Sequence, residues 1–163
     1  MISLPLWLGI VLVALVILAM VGLWASGIAS RLNRLHIRTD SARVSLEGAL
    51  AARSGVIAAL QPALADRAHQ VSRVPLKARD MGARSDVENQ LLRATSDEVF
   101  RHAAFVDASA RVDLAARFYN DAVADTRTVR ARREVRLLHL AGSAPLPEYY
   151  EALSPGDINL ARK

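Results

Sequence analysis

The chain has 163 residues, which fits one domain of ordinary size. It is 52% hydrophobic but only 5% aromatic, and all 21 basic and 16 acidic residues lie at or after Arg31. That division excludes a simple soluble globule and a multi-span transporter. The absence of Cys excludes disulfides, thiolate metal sites and Cys nucleophiles.

The first 30 positions form an uncharged segment, with PLWLGIVLVALVILAMVGLWA running unbroken from Pro5 to Ala25. At ~1.5 Å per residue, about 20 apolar residues cross a ~30 Å hydrocarbon core. Trp7 and Trp24 stand near its two ends, where indole rings favour the headgroup interface. A secretory signal peptide is the competing reading. It needs a charged n-region and a shorter apolar core, and MISLP supplies no charge, so residues 1–30 read as a retained anchor. Arg31, Arg34, Arg38 and Arg43 follow the span and no basic side chain precedes it. The positive-inside rule places the C-terminal body in the cytoplasm and the short N-terminus outside.

Residues 31–141 read as a cytoplasmic helical bundle. Leu32, Leu35, Thr39, Ala42, Leu46, Ala49, Arg53, Val56, Leu60 and Ala63 alternate three and four apart, the spacing of a long helix packed at a shallow angle on others. No strong breaker separates it from the span, and Pro62 is expected to kink or end it. Residues 70–84, with Pro75 and Gly82, read as a loop, with or without a short helical turn. Ser85 and Glu88 then have capping-box spacing, opening a second helix over about 86 to 105. A break is expected near Asp107 to Ser109.

The third helix carries the clearest stripe: Ala108, Val112, Ala115, Tyr119, Ala122, Thr126 and Val129. It is expected to run through RARREVRLLHL and stop at Gly142. Residues 142–163 hold three of the six prolines and read as an extended or loosely packed tail. Nothing in the body alternates like a strand. The fold class is therefore all-α: one N-terminal transmembrane helix followed by an antiparallel three- to four-helix bundle.

Three stretches carry a family resemblance. SARVSLEGALAARSGVIAAL, with Leu50 and Arg53, LAARFYNDAVADTR, with Arg117, Tyr119, Asn120, Ala122 and Val123, and LAGSAPLPEYYE together resemble the LemA family of membrane-anchored bacterial proteins. The resemblance covers roughly positions 1–60 and 108–151, and the chain reads as a divergent member. Ala58 stands where the family has Pro, Ser109 where it has an acidic residue, and Thr126 and Arg127 where it has a second Tyr-Asn, with the following Phe-Pro absent. The resemblance implies a span with a helical cytoplasmic body and no assigned reaction.

The residues give no chemistry of their own. The four histidines are scattered, and a di-iron bundle would need two Glu-x-x-His units plus two further Glu. The sequence contains no Gly-rich phosphate loop, nucleophile elbow or zinc-protease helix, so neither cofactor nor metal is expected and the chain does not read as an enzyme. The basic run at Arg127, Arg130, Arg132, Arg133 and Arg136 is interrupted by Glu134 and lacks an aromatic platform. Anionic lipid or an acidic protein partner suits it better than nucleic acid.

Two residue sets stand out. Arg53 and Tyr119 fall in the apolar stripes, with Asn120 beside Tyr119, where buried polar groups must be paired; they read as an interhelical polar contact. Gly22, Ser26 and Ser30 place small side chains on one face of the span. They either pack against a second helix or ease the passage from span to body. The function expected is a membrane-anchored scaffold or interaction module with a protein partner or a second copy. The alternatives are an accessory subunit of a larger membrane assembly, such as a respiratory or secretion complex, and an enzyme with a cryptic interhelical site.

Overall fold

The structure, a computed structural model, describes residues 6–137 and 146–151. Its dominant element is a single 55-residue helix, α1 (Leu6–Leu60), about 80 Å long at the α-helical rise. The first part of α1 touches little else: Trp7 is 62% exposed and Leu23 76%. This apolar stretch is long enough to cross a membrane. The second part becomes a core helix, burying Leu32, Thr39, Leu46, Leu50, Arg53, Ser54 and Ile57 on one side. Apart from the adjacent pair Arg53 and Ser54, steps of three, four and seven residues keep that side facing one way along the helix.

Pro62 stops α1 as expected. Gln61 N–H still reaches the Ile57 carbonyl at 2.8 Å, and Pro62–Leu64 then turn as one 3-10 step into α2 (Ala65–Ser72). After the turn at 73–80 come α3 (Met81–Ala94) and the short α4 (Asp97–Arg101). They are followed by α5 (Ala103–Arg130) and α6 (Arg133–Leu137). No strand is present among the described residues.

The bundle is built on α1 and α5, which run antiparallel. Leu32 meets Val129, the Thr39 and Thr126 hydroxyls lie 2.9 Å apart, Leu46 and Leu50 share a cluster with Tyr119 and Val112, and Ile57 clusters with Phe105. The stripes read from the sequence therefore do face each other. Helices α2 and α3 close the far end, where Ala68, Val71, Leu91 and Leu92 pack on Ile57, and Phe100 meets Phe105 at 5.2 Å between ring centroids.

Several boundaries differ from expectation. The loop expected over 70–84 is confined to 73–80, because α3 starts at Met81, with Asp80 accepting the Ala83 N–H at 3.3 Å as its N-cap. Arg84 is therefore helical, and Ser85 lies one turn inside α3 instead of capping a helix. The break expected near 107–109 falls at His102. Its extended backbone ends α4, and its Nδ1 accepts the Ala104 N–H at 3.2 Å to open α5. The third helix ends at Arg130 and turns at Ala131–Arg132 into α6. The stop at Gly142 lies outside the described residues.

Candidate functional site

At the junction of α1 and α3 three charged side chains are withdrawn from solvent. Arg53 is 1% exposed, and Arg84 and Glu88 are 0%. The Glu88 carboxylate is the hub. One oxygen accepts Arg84 Nε at 3.0 Å and Nη2 at 2.8 Å, and the other accepts Arg53 Nη2 at 3.2 Å. Ser54 Oγ stands 3.5 Å from the first oxygen. The Arg84 guanidinium also donates through Nη1 to the Ser72 carbonyl at 3.4 Å and to the Val74 carbonyl. It thereby ties the turn after α2 to α3. Arg53 Nε has no hydrogen-bond partner.

Helical spacing supplies part of this arrangement. Arg84 and Glu88 are four residues apart, so they lie on one face of α3 and chelate locally. Arg53 comes from the core side of α1. The centre carries one negative and two positive charges, and the carbonyls at 72 and 74 offset part of the excess.

A second polar system holds the C-terminal segment. Residues 146–151 are extended and lie along α5 as a strap. Asn120 clasps Tyr150 twice: its Nδ2 donates to the Tyr150 carbonyl at 3.1 Å, and its Oδ1 accepts the Tyr150 N–H at 2.9 Å. The Tyr119 hydroxyl donates to the Glu148 carbonyl at 2.8 Å, and Arg127 Nε to the Pro147 carbonyl at 2.9 Å. The Arg127 guanidinium stacks 5.0 Å over the Tyr149 ring. From the other side, Glu148 N–H donates to the Ala78 carbonyl at 2.9 Å. The turn at 73–80 is itself held to α1, since Arg43 Nη1 donates to the Leu76 carbonyl at 3.0 Å and Glu47 accepts the Leu76 N–H at 3.3 Å.

Tyr150 joins the two systems. Its ring is buried with Leu46, Leu50, Leu76 and Met81, and its hydroxyl faces Glu88, Arg53, Arg84 and Ser85. The Ser85 and Tyr150 hydroxyls face each other outside full hydrogen-bond geometry, so neither is satisfied. Loss of water pushes the Tyr150 phenol up to about 12, and Glu88 adds to the rise while the arginines oppose it. Burial likewise pushes Tyr119 up to about 12.

The residues singled out in the sequence are thus all placed. Arg53 turns inward, but its carboxylate partner is Glu88 on α3. Tyr119 and Asn120 bind the strap. Gly22, Ser26 and Ser30 are exposed on the N-terminal part of α1, and a Cβ added to Gly22 would meet nothing within 4 Å. Glu88 reads in the sequence as half of a capping box with Ser85 and Arg84 as part of the preceding loop, so neither is expected in a buried centre. The four-residue Arg–Glu spacing is the only local signal. Strap docking left none, since Asn120 and Tyr150 are 30 residues apart.

Removing the hub strands two guanidiniums without water. Glu88→Ala is expected to destabilise the full chain by ~3–5 kcal/mol. Arg84→Ala is expected to cost a comparable amount, since Arg84 is no loop residue. Replacing the whole centre by Arg53→Met, Arg84→Met and Glu88→Leu is expected to regain most of the loss; thermal unfolding in detergent micelles reads all three. The tyrosines predict a second effect. Both are held neutral in the folded state, so their contribution is complete below pH 10 and is lost as pH rises through about 12. An unfolding temperature that falls across this window, with tyrosinate absorbance rising on unfolding, is the expected outcome. Tyr119→Phe with Tyr150→Phe flattens the fall. No protein family, curated protein or solved structure matches the chain.

Proposed function

We propose that the protein is a single-pass membrane-anchored scaffold of the LemA type, with its helical body on the cytoplasmic side and its span available to a partner helix. The observation that carries this reading is the continuity of α1. One helix is bare and apolar over its first half and forms the spine of the bundle over its second, so the body is rigidly held at the membrane surface. The arginines at 31, 34, 38 and 43 follow the span directly, which favours the cytoplasm for the body.

The resemblance to LemA proteins gains support from packing. The stretches that carry it, around Arg53, Tyr119-Asn120 and LPEYYE, are distant in sequence. They meet through the α1–α5 seam and the clasp of Asn120 on Tyr150. The exposed face of Gly22, Ser26 and Ser30 supports the interaction role, because small residues let two helix backbones approach closely.

A reporter fused after Lys163 tests the placement: activity confined to the cytoplasm is expected, and activity confined to the opposite side contradicts it. The scaffold role is read on the same chain purified in mild detergent. A homo-oligomer or stable complex is expected, weakened by Gly22→Leu with Ser26→Leu; an isolated monomer overturns the role.

A further inference from the structure

The basic run at the end of α5 takes no part in the buried centre, yet the fold gives it a definite place. Leu32, Val129 and Val135 form a cluster with Ile28 and Leu35 packed against it, so the end of α5 and Val135 of α6 lie against the first turns of α1 beyond the span. Leu32 is seven residues past Ala25, about 10 Å along the helix. That distance corresponds to the headgroup layer bordering a ~30 Å hydrocarbon core.

At this level a cleft of about 340 Å³ opens between α5, α6 and the strap. Its lining is divided by chemistry. Arg127, Arg130 and Arg136 supply three guanidiniums, and Ala131, Val135 and Leu146 supply an apolar wall. Arg127 is fixed at the cleft by its bond to the Pro147 carbonyl and its stack on Tyr149. The Asp125 carboxylate, two residues before Arg127, is engaged by Arg38 at 2.7 Å.

We propose that this cleft is a binding site for an anionic glycerophospholipid, taking the phosphate diester among the three arginines and the glyceryl end of the acyl chains along Ala131, Val135 and Leu146. A guanidinium matches two phosphate oxygens at once, and an apolar wall beside it suits a ligand that is charged at one end and hydrocarbon at the other. Free phosphate shares the first half of this chemistry but leaves the wall uncovered. The volume lies within the range of small-ligand sites. The inference rests on the membrane placement proposed above and adds the lipid class. Since Arg127 lines the cleft and binds the strap at Pro147, and Leu146 belongs to both, a bound lipid also braces the strap.

The test uses the full chain in a neutral maltoside detergent, with dioleoyl phosphatidylglycerol or dioleoyl phosphatidylcholine added and bound lipid counted by native mass spectrometry. About tenfold or greater preference for phosphatidylglycerol is expected from three converging arginines. Arg130→Gln with Arg136→Gln is expected to abolish the preference, whereas Arg101→Gln with Arg111→Gln, at the far end of the body, is expected to keep it. Millimolar inorganic phosphate is expected to leave the lipid bound. Equal retention of the two lipids by the wild-type chain overturns the proposal without recourse to any variant. Preference surviving in a folded Arg130/Arg136 variant overturns it too, and displacement by phosphate assigns the cleft to free phosphate instead. The count in detergent does not depend on orientation. Loss of selectivity with a cytoplasmic reporter rejects the cleft alone, and selectivity with the reporter outside rejects the placement alone.

Discussion

The interaction on which the body depends is the carboxylate of Glu88 held between two guanidiniums, all three withdrawn from solvent. Taking a single ion from water into a protein interior costs several kcal/mol even after relaxation. The arrangement is tolerable only because both Glu88 oxygens accept charged donors and Arg84 completes its bonding on the Ser72 and Val74 carbonyls. Those partners come from α1, from the turn after α2 and from α3. Each element must be in register before the charges are satisfied, so the centre acts as a lock on a bundle whose other contacts are largely aliphatic and non-directional.

The strap extends the same logic to the C-terminal segment. An extended chain on a helical bundle has no sheet to satisfy its backbone, and side chains do so here. Asn120 supplies both an acceptor and a donor to Tyr150, while Tyr119 and Arg127 bind the carbonyls at 148 and 147. Tyr150 then closes over the charged centre, trading some unsatisfied hydroxyl capacity for the burial of a large ring. With α1 shared between the bare apolar stretch and the bundle, the locked core lies at one end of the body and that apolar stretch extends from the other.

The sequence carried the long-range outline well because periodicity survives in it. Thr39, Leu46, Arg53, Tyr119, Ala122 and Thr126 were all read onto the inward stripes, and all are buried. What it hid were the pairings that break the apolar code. Glu88 after Ser85 has the form of a helix cap, and only the three-dimensional position of Arg53 reveals it as a hub. Asp80, an ordinary N-cap residue, starts α3 where Pro75 and Gly82 suggested a loop. His102 ended α4 without any Gly or Pro to mark the break. The tail reads in the sequence as extended or loosely packed; what the sequence does not show is that its described part docks on α5, where Pro147 contributes the carbonyl that Arg127 binds.

The coupling between Arg53 and Glu88 tests this account most directly. A double-mutant cycle on the full chain, with Arg53→Ala, Glu88→Ala and the pair together, measures it through unfolding free energies. If the two residues form the lock described, the double variant is less destabilised than the sum of the single variants by ~1–3 kcal/mol. Additivity to within about 0.5 kcal/mol would contradict it, and would mean that the charged centre does not hold α1 to α3.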